Sequence, residues 1–216
     1  MTTRVKICGL KTEAALEAAL AGGADDVGLV FYPRSPRHVD VATAAGLARR
    51  ARGRAGIVAL VVDADDALID EIVAEVAPDV LQLHGAETPE RCAAVKLRTG
   101  CQVMKAIKVA TAADAATALA YRDAVDLVLF DTKPPEGQAG LLPGGNGQAF
   151  DWSAIAEVAP KVCYMLSGGL TPDTVAAAIR ATGAAAVDVS SGVESRPGEK
   201  DPELIRRFLQ AAKTAR

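Results

Sequence analysis

Aromatic side chains are scarce, at 4% of the 216 residues. A core of stacked rings is therefore excluded. Half of the chain is hydrophobic, so the interior has to be assembled from Ala, Val, Leu and Ile. Basic clusters are missing as well. The net charge is −3 with both signs spread along the chain, and no basic-aromatic pattern points to nucleic acid. No apolar run approaches a membrane span, and the N-terminus has no apolar signal-peptide core. The four cysteines, Cys8, Cys92, Cys101 and Cys163, have neither the pairing of metal ligands nor a disulfide framework, which fits a reducing cytoplasm. Cys8-Gly9-Leu10 stands where a dinucleotide fold would carry G-x-G-x-x-G.

What the chain does have is a regular alternation. Apolar runs near 4–8, 26–31, 56–62, 79–84, 102–107, 125–131, 161–167 and 185–190 read as strands. Helical patterns near 12–22, 41–52, 65–77, 89–98, 111–121, 151–158, 172–182 and 202–213 fall between and after them. Helix starts carry a cap or a first-turn proline, as at Thr12, Asp65-Asp66, Thr88-Pro89, Thr111 and Thr171-Pro172. Strands such as Ile57–Val62 are continuously apolar, as expected when both faces are covered. Eight strand–helix units without an obvious linker predict a single (β/α)8 barrel domain over 1–216. A doubly wound open sheet is the alternative, but it usually has fewer strands and a Gly-rich nucleotide turn. Two strand-to-helix connections are long, 32–40 and 132–150. In a barrel such connections lie on the catalytic face, and long loops in a compact domain usually cover a ligand.

Three groups of residues should meet on that face. Cys8 ends strand 1 and Asp131 ends strand 6, giving a pair of proton-transfer candidates. Alone, Cys8 would read as a small core hydrophobe, and Asp131 as an anchor for loop amides. Ser167-Gly168-Gly169-Leu170 after strand 7 and Ser190-Ser191-Gly192-Val193-Glu194 after strand 8 form a candidate phosphate cradle, because small residues let backbone N–H groups approach an anion. Arg37, in Ser35-Pro36-Arg37, offers a fork that matches a planar carboxylate, with Arg34 as a competitor. Strand alternation turns Gln82 and His84 inward, as pocket lining. His84 has no companion ligands that would make it a metal site.

These motifs, in order from residue 5 to residue 194, resemble the phosphoribosylanthranilate isomerase family of tryptophan biosynthesis. The resemblance is carried by Val5-Lys6-Ile7-Cys8-Gly9, Ser35-Pro36-Arg37, Gln82-Leu83-His84-Gly85, Phe130-Asp131-Thr132, Gly144-Gly145-Asn146-Gly147, Phe150-Asp151-Trp152, Ser167-Gly168-Gly169-Leu170 and Asp188-Val189-Ser190-Ser191-Gly192-Val193-Glu194. It implies an Amadori rearrangement of N-(5-phosphoribosyl)anthranilate to 1-(2-carboxyphenylamino)-1-deoxyribulose 5-phosphate. Cys8 would be the general base, Asp131 the general acid and Arg37 the contact to the anthranilate carboxylate. Gly145, Gly168, Gly169, Ser190, Ser191 and Gly192 would bind substrate with Gln82 and His84. Asn146 stands where the family commonly has Thr, which should tune the loop rather than abolish function. The implied electron sink is an iminium, so neither metal nor organic cofactor is called for. A monomer or a homodimer is expected.

The related histidine-pathway isomerase does the same rearrangement on a substrate with two phosphates. Its strand-1 base is typically a carboxylate, so Cys8 argues against it. A non-catalytic phosphate-binding barrel gives no reason for Cys8, Asp131 and Arg37 to converge. Further expectations follow. Lys6 and Asp188 should point inward and pair across the closing strands, since neither charge can be buried alone. Loop amides and Lys6 should favour the Cys8 thiolate, and an apolar strand with a closed lid over 132–150 should raise the pKa of Asp131. Iodoacetamide should reach Cys8 before Cys92, Cys101 or Cys163.

Overall fold

The computed structural model describes residues 2–133 and 149–215. Eight parallel strands close into a barrel: β1 (Arg4–Cys8), β2 (Asp26–Phe31), β3 (Gly56–Val61), β4 (Val80–Leu83), β5 (Gln102–Val109), β6 (Leu127–Thr132), β7 (Tyr164–Leu166) and β8 (Ala186–Val189). Around them lie α1 (Glu13–Ala21), α2 (Val41–Ala51), α3 (Asp66–Val76), α4 (Pro89–Thr99), α5 (Ala112–Ala116), α6 (Val175–Thr182) and α7 (Pro202–Lys213). The caps act as the sequence suggests. Thr12, Asp65, Thr88 and Thr111 each accept a backbone N–H of the first turn, satisfying donors a helix start leaves open.

The barrel closes by pairing β1 with β8, with Lys6 opposite Asp188. Side chains alternate between the interior and the helix layer. Val5, Ile7, Val27, Leu29, Ile57, Ala59, Leu81, Leu83, Val103 and Ile107 join the large outer core, in which aliphatic residues predominate. The interior holds a small apolar plug of Val58, Val80, Met104, Ala106, Leu129, Met165 and Ala186. Above that plug the lining becomes polar, with Lys6, Gln82, His84, Asp131, Ser167 and Asp188 all buried.

Some boundaries differ from the sequence reading. The pattern at 111–121 is a five-residue helix continued by a 3₁₀ turn over Thr117–Tyr121. The helix expected at 151–158 is a 3₁₀ turn, Trp152–Ile155, with a second turn at Ala159–Lys161. Pro160 stops the segment before it can gain the length a stable helix needs. The helix expected from Thr171-Pro172 begins at Val175, because Thr171 and Thr174 first close a turn, Thr171 N donating to Thr174 Oγ1 at 3.0 Å. β5 runs to Val109, two residues past its expected end. After β8 a small hairpin appears, β9 (Glu194–Arg196) with β10 (Glu199–Lys200).

Candidate active site

The expected residues gather at the C-terminal ends of the strands. Cys8 closes β1 and is 3% exposed, packed with Val30 and Leu60 and bordered by Tyr32 and Val62. Gly28 on β2 makes room for it, since a Cβ there would lie 3.0 Å from the sulfur. Gly9 then turns the chain at φ +80, and a Cβ would come within 2.8 Å of Arg37 Cδ. Burial pushes the Cys8 thiol up, and the ammonium of Lys6 pulls it only part of the way back. This corrects the expected bias toward thiolate: the sulfur at rest holds its proton. The alkylation order is corrected too, because Cys163 is exposed and Cys8 is buried.

Asp131, near the end of β6, is also buried. Its Oδ2 accepts from Lys108 Nζ at 2.8 Å and lies 3.2 Å from His84 Nε2, while Oδ1 accepts from Thr132 N at 3.0 Å. Burial alone would raise its pKa. The Lys108 charge and then the His84 contact outweigh burial and hold the carboxyl well below the usual carboxylate range. The expected upward shift is therefore reversed, and the cause is Lys108. The apolar run of β5 reads as ending at 107, which leaves Lys108 off the strand. With the strand carried to Val109, Lys108 shares the inward parity of Met104 and Ala106.

Beneath the pair, Lys6 and Asp188 meet as expected, Nζ to Oδ1 at 3.0 Å with the lysine fully buried. Ser167 Oγ donates to the other Asp188 oxygen at 3.2 Å. Lys6 also donates to Gln82 Oε1 at 2.6 Å, and Gln82 Nε2 lies 2.9 Å from His84 Nδ1. Gln82 and His84 thus face inward.

Segment 32–40 is a folded turn rather than an open loop. Ser35 N donates to Tyr32 O, and Val39 N returns to Val30 O. Within it Arg37 is buried and Arg34 is exposed, which separates the two competitors. Nε and Nη2 of Arg37 donate to the two Glu194 oxygens at 2.8 and 2.9 Å. Lys200 Nζ reaches the same carboxylate at 2.6 Å, and it also donates to Ser190 O at 2.9 Å and Ser190 Oγ at 3.2 Å. Glu194 is pushed up by burial, but Arg37 and then Lys200 bring it below its ordinary value. Sequence reading quoted Glu194 without a role and did not find Lys200. Ser190 Oγ in turn donates to the Cys8 carbonyl at 3.1 Å, tying the turn after β8 to the end of β1.

The glycines of the suspected cradle sit where backbones crowd. Gly168, at φ +87, faces Thr132, whose backbone N would be 2.7 Å from an added Cβ. A Cβ on Gly192 would collide with the Leu170 carbonyl. Gly169 shares the positive φ, at +62, and Ser191 opens a 3₁₀ turn through Val193. The end of β6 and the turns after β7 and β8 are thus drawn together. Gly145, with Asn146 and the Pro134–Pro143 insert of the expected lid, lies outside the described residues. Among the described residues no cluster of three or more His, Cys, Asp or Glu could hold a metal ion, and no helix is long and apolar enough to cross a membrane.

Comparison with known proteins places this geometry in a family. The family model for N-(5'-phosphoribosyl)anthranilate (PRA) isomerase matches residues 5–211. The N-(5'-phosphoribosyl)anthranilate isomerase of Parvibaculum lavamentivorans is 54% identical over 215 residues, covering 100% of both chains. A crystal structure of phosphoribosyl anthranilate isomerase in complex with reduced 1-(o-carboxyphenylamino)-1-deoxyribulose 5-phosphate superposes with a TM-score of 0.85 at 34% identity, covering 98% of each chain. Monomers generated from the dimeric Thermotoga maritima enzyme give 0.84 at 35%, again over 98% of each. The chain is a member of the N-(5'-phosphoribosyl)anthranilate isomerase family.

Proposed function

We propose that this chain, acting as one barrel domain in the cytoplasm, converts N-(5-phosphoribosyl)anthranilate to 1-(2-carboxyphenylamino)-1-deoxyribulose 5-phosphate. The observation that carries the reading is the placement of Cys8 and Asp131. Both stand at the mouth of one closed barrel, on strands three apart around the ring (β6, β7, β8, β1), so they face a bound substrate from nearly opposite sides. Asp131 in its acid form gives its proton to the furanose ring oxygen. The bond from that oxygen to C1 breaks with its electron pair on oxygen, and the anilino nitrogen lone pair forms the C1–N iminium. The Cys8 thiolate removes the proton on C2. That electron pair becomes the C1–C2 double bond, and the iminium pair returns to nitrogen. The resulting enolamine tautomerises, its hydroxyl proton leaving and C1 gaining one, to give the ketone. Atoms and charge balance, and acid–base catalysis needs only these two groups.

The remaining residues bind. The turns after β7 and β8, with Gly168, Gly169, Ser190, Ser191 and Gly192, receive the phosphate. Cys8, Val30, Leu60 and Tyr32 give the anthranilate ring an apolar bed, with its carboxylate directed to Arg37, which Glu194 orients. Gln82 and His84 line the floor. The protein works as a monomer or a homodimer, as the Thermotoga relative's two forms allow. The test is anthranilate fluorescence with freshly made substrate. It should decay with enzyme and not with Asp131→Asn. Undiminished fluorescence with wild-type protein would refute the reading.

A further inference from the structure

β4 ends at Leu83, so Gly85 and Ala86 run past the last rung of the barrel, and side chains from neighbouring strand ends hold their backbone. Lys105 has the parity of Val103 and Ile107, which belong to the aliphatic outer core, and its side chain is 3% exposed. A cation is costly there without partners. Its Nζ donates to Gly85 O at 2.6 Å, to Leu83 O at 3.4 Å and to Glu87 Oε2 at 2.8 Å. Glu87 is buried as well. Its Oε2 also accepts from Gly85 N at 2.9 Å, and its Oε1 accepts from Asp63 N at 2.9 Å. Burial raises the Glu87 carboxyl, but Lys105 and then the Asp63 amide bring it below its ordinary value, so it is ionised. Asp63, past the end of β3, stands at φ +48, a left-handed conformation uncommon outside glycine. Its Oδ1 accepts from Ala86 N at 2.6 Å, and a Cβ on Gly85 would collide with that oxygen. Each donor is a backbone N–H or an ammonium, and each acceptor is a carbonyl or carboxylate oxygen.

This bracket ties the ends of β3 and β4 to β5, and the residues beside it face the site. Val62, just before Asp63, borders the cluster of Cys8, Val30 and Leu60. His84, just before Gly85, lies 3.2 Å from Asp131 Oδ2 and 2.5 Å from Lys108 Nζ. We infer that Glu87 is a positioning residue for the reaction: its carboxylate, held by Lys105, sets where Val62 stands beside the base and where His84 stands beside the acid. An amide could not replace it, because a carboxylate offers two acceptor oxygens to the Asp63 and Gly85 N–H groups and an amide only one. A misplacement of about 1 Å at reacting groups can cost on the order of 10²-fold in rate. The inference rests on the reading of Cys8 as the base and Asp131 as the acid.

Glu87→Gln tests it, with kinetics from the loss of anthranilate fluorescence at a temperature where circular dichroism shows the variant folded. The substitution keeps the size and removes one acceptor. In the folded variant kcat should fall at least fivefold, with KM changing by a smaller factor, because the groups that bind substrate are intact and the reacting groups are displaced. A residue that only stabilises the fold would leave kcat alone once the protein is folded. A smaller fall in kcat, or a change in KM as large as that in kcat, overturns the inference. Should Glu87→Gln fail to fold, Asp63→Gly takes its place under the same criterion. Glycine suits the positive φ, so that variant loses the acceptor for Ala86 N without adding strain. Amide hydrogen exchange reads the bracket apart from activity: the Asp63 and Ala86 amides should exchange at least tenfold faster in Glu87→Gln and Asp63→Gly respectively, and unchanged rates overturn the inference. Wild-type protein that leaves anthranilate fluorescence undiminished would indict the functional reading instead, and the exchange rates would then decide the bracket.

Discussion

In the proposed mechanism Cys8 and Asp131 share one working proton, and their surroundings favour it on the partner opposite to the one that mechanism needs. At rest the sulfur is protonated and the carboxyl ionised, whereas the reaction needs the reverse. Between their two pKa values the active form is a constant minority. With ordinary values of ~3.9 and ~8.5 its share would be about 10^−4.6, and burial of Cys8 and the Lys108 contact with Asp131 make it smaller still. The substitution Lys108→Met removes the charge 2.8 Å from Oδ2. Coulomb's law gives that pair about 1.5 kcal/mol in water and about 6 kcal/mol at an effective dielectric of ~20. The lysine side chain is 24% exposed and the His84 contact survives, so the lower part of that range applies, about 1.4–3 kcal/mol. Each 1.36 kcal/mol is tenfold in the active share, a gain of roughly ten- to a hundredfold. A weaker acid transfers its proton more slowly, and at half sensitivity the rate gain is the square root, about three- to tenfold. The low-pH limb belongs to Asp131 and the high-pH limb to Cys8 in this reversed order. The limb at low pH should therefore move upward while the other stays. Both are read from kcat/KM by the loss of anthranilate fluorescence across pH. A fall in kcat/KM at every pH with an unmoved low-pH limb would mean that Lys108 serves the substrate, and the account of Asp131 would be refuted.

Other expectations are simpler. Cys8→Ser, a far weaker base, should cost kcat at least 10²-fold, with product-analogue affinity by calorimetry near wild type; retained turnover would remove Cys8 from the mechanism. Lys6→Met leaves Asp188 buried without its ammonium partner and should cost about 3–5 kcal/mol, seen as a Tm lower by roughly 6–20 °C in calorimetry. A fall of less than about 2 °C would mean that the pair is solvated. Iodoacetamide should modify the exposed Cys163 first, with activity intact at one equivalent by mass spectrometry and assay; early loss of activity tracking modified Cys8 would contradict its burial.

The alternation of apolar runs and caps is enough to read the barrel, because both faces of the barrel strands are largely buried and the signals are local. At 111–121 and 151–158 the helical pattern is present, but the chain forms a short helix with a 3₁₀ turn in one and two 3₁₀ turns in the other, the second containing Pro160. The rim residues Cys8, Arg37, Gln82, His84 and Asp131 were legible because motif and strand parity agree on them. What stayed hidden were partners distant in sequence. Lys200 stands on a hairpin too short to show as strands, and its bond to Glu194 depends on how that hairpin folds back. The proton positions are hidden for the same reason. A pKa is set by neighbours in space, and the neighbour that mattered to Asp131 lies 23 residues away on an adjoining strand.

The ion pair across the β1–β8 seam also has a kinetic meaning. Lys6 and Asp188 are separated by 182 positions, and the entropy of closing so long a loop is about 4–5 kcal/mol. During synthesis β1 emerges first and its ammonium waits without a mate until nearly all the barrel has been made. A partial sheet of five or six strands that tried to curl shut would trap that charge against an apolar neighbour, so premature closure is penalised. A seam slipped by one residue would turn Lys6 out among the helices, and one slipped by two would set it opposite Ala186 or Ser190. The pair therefore acts as a key that only the finished, correctly staggered cylinder accepts.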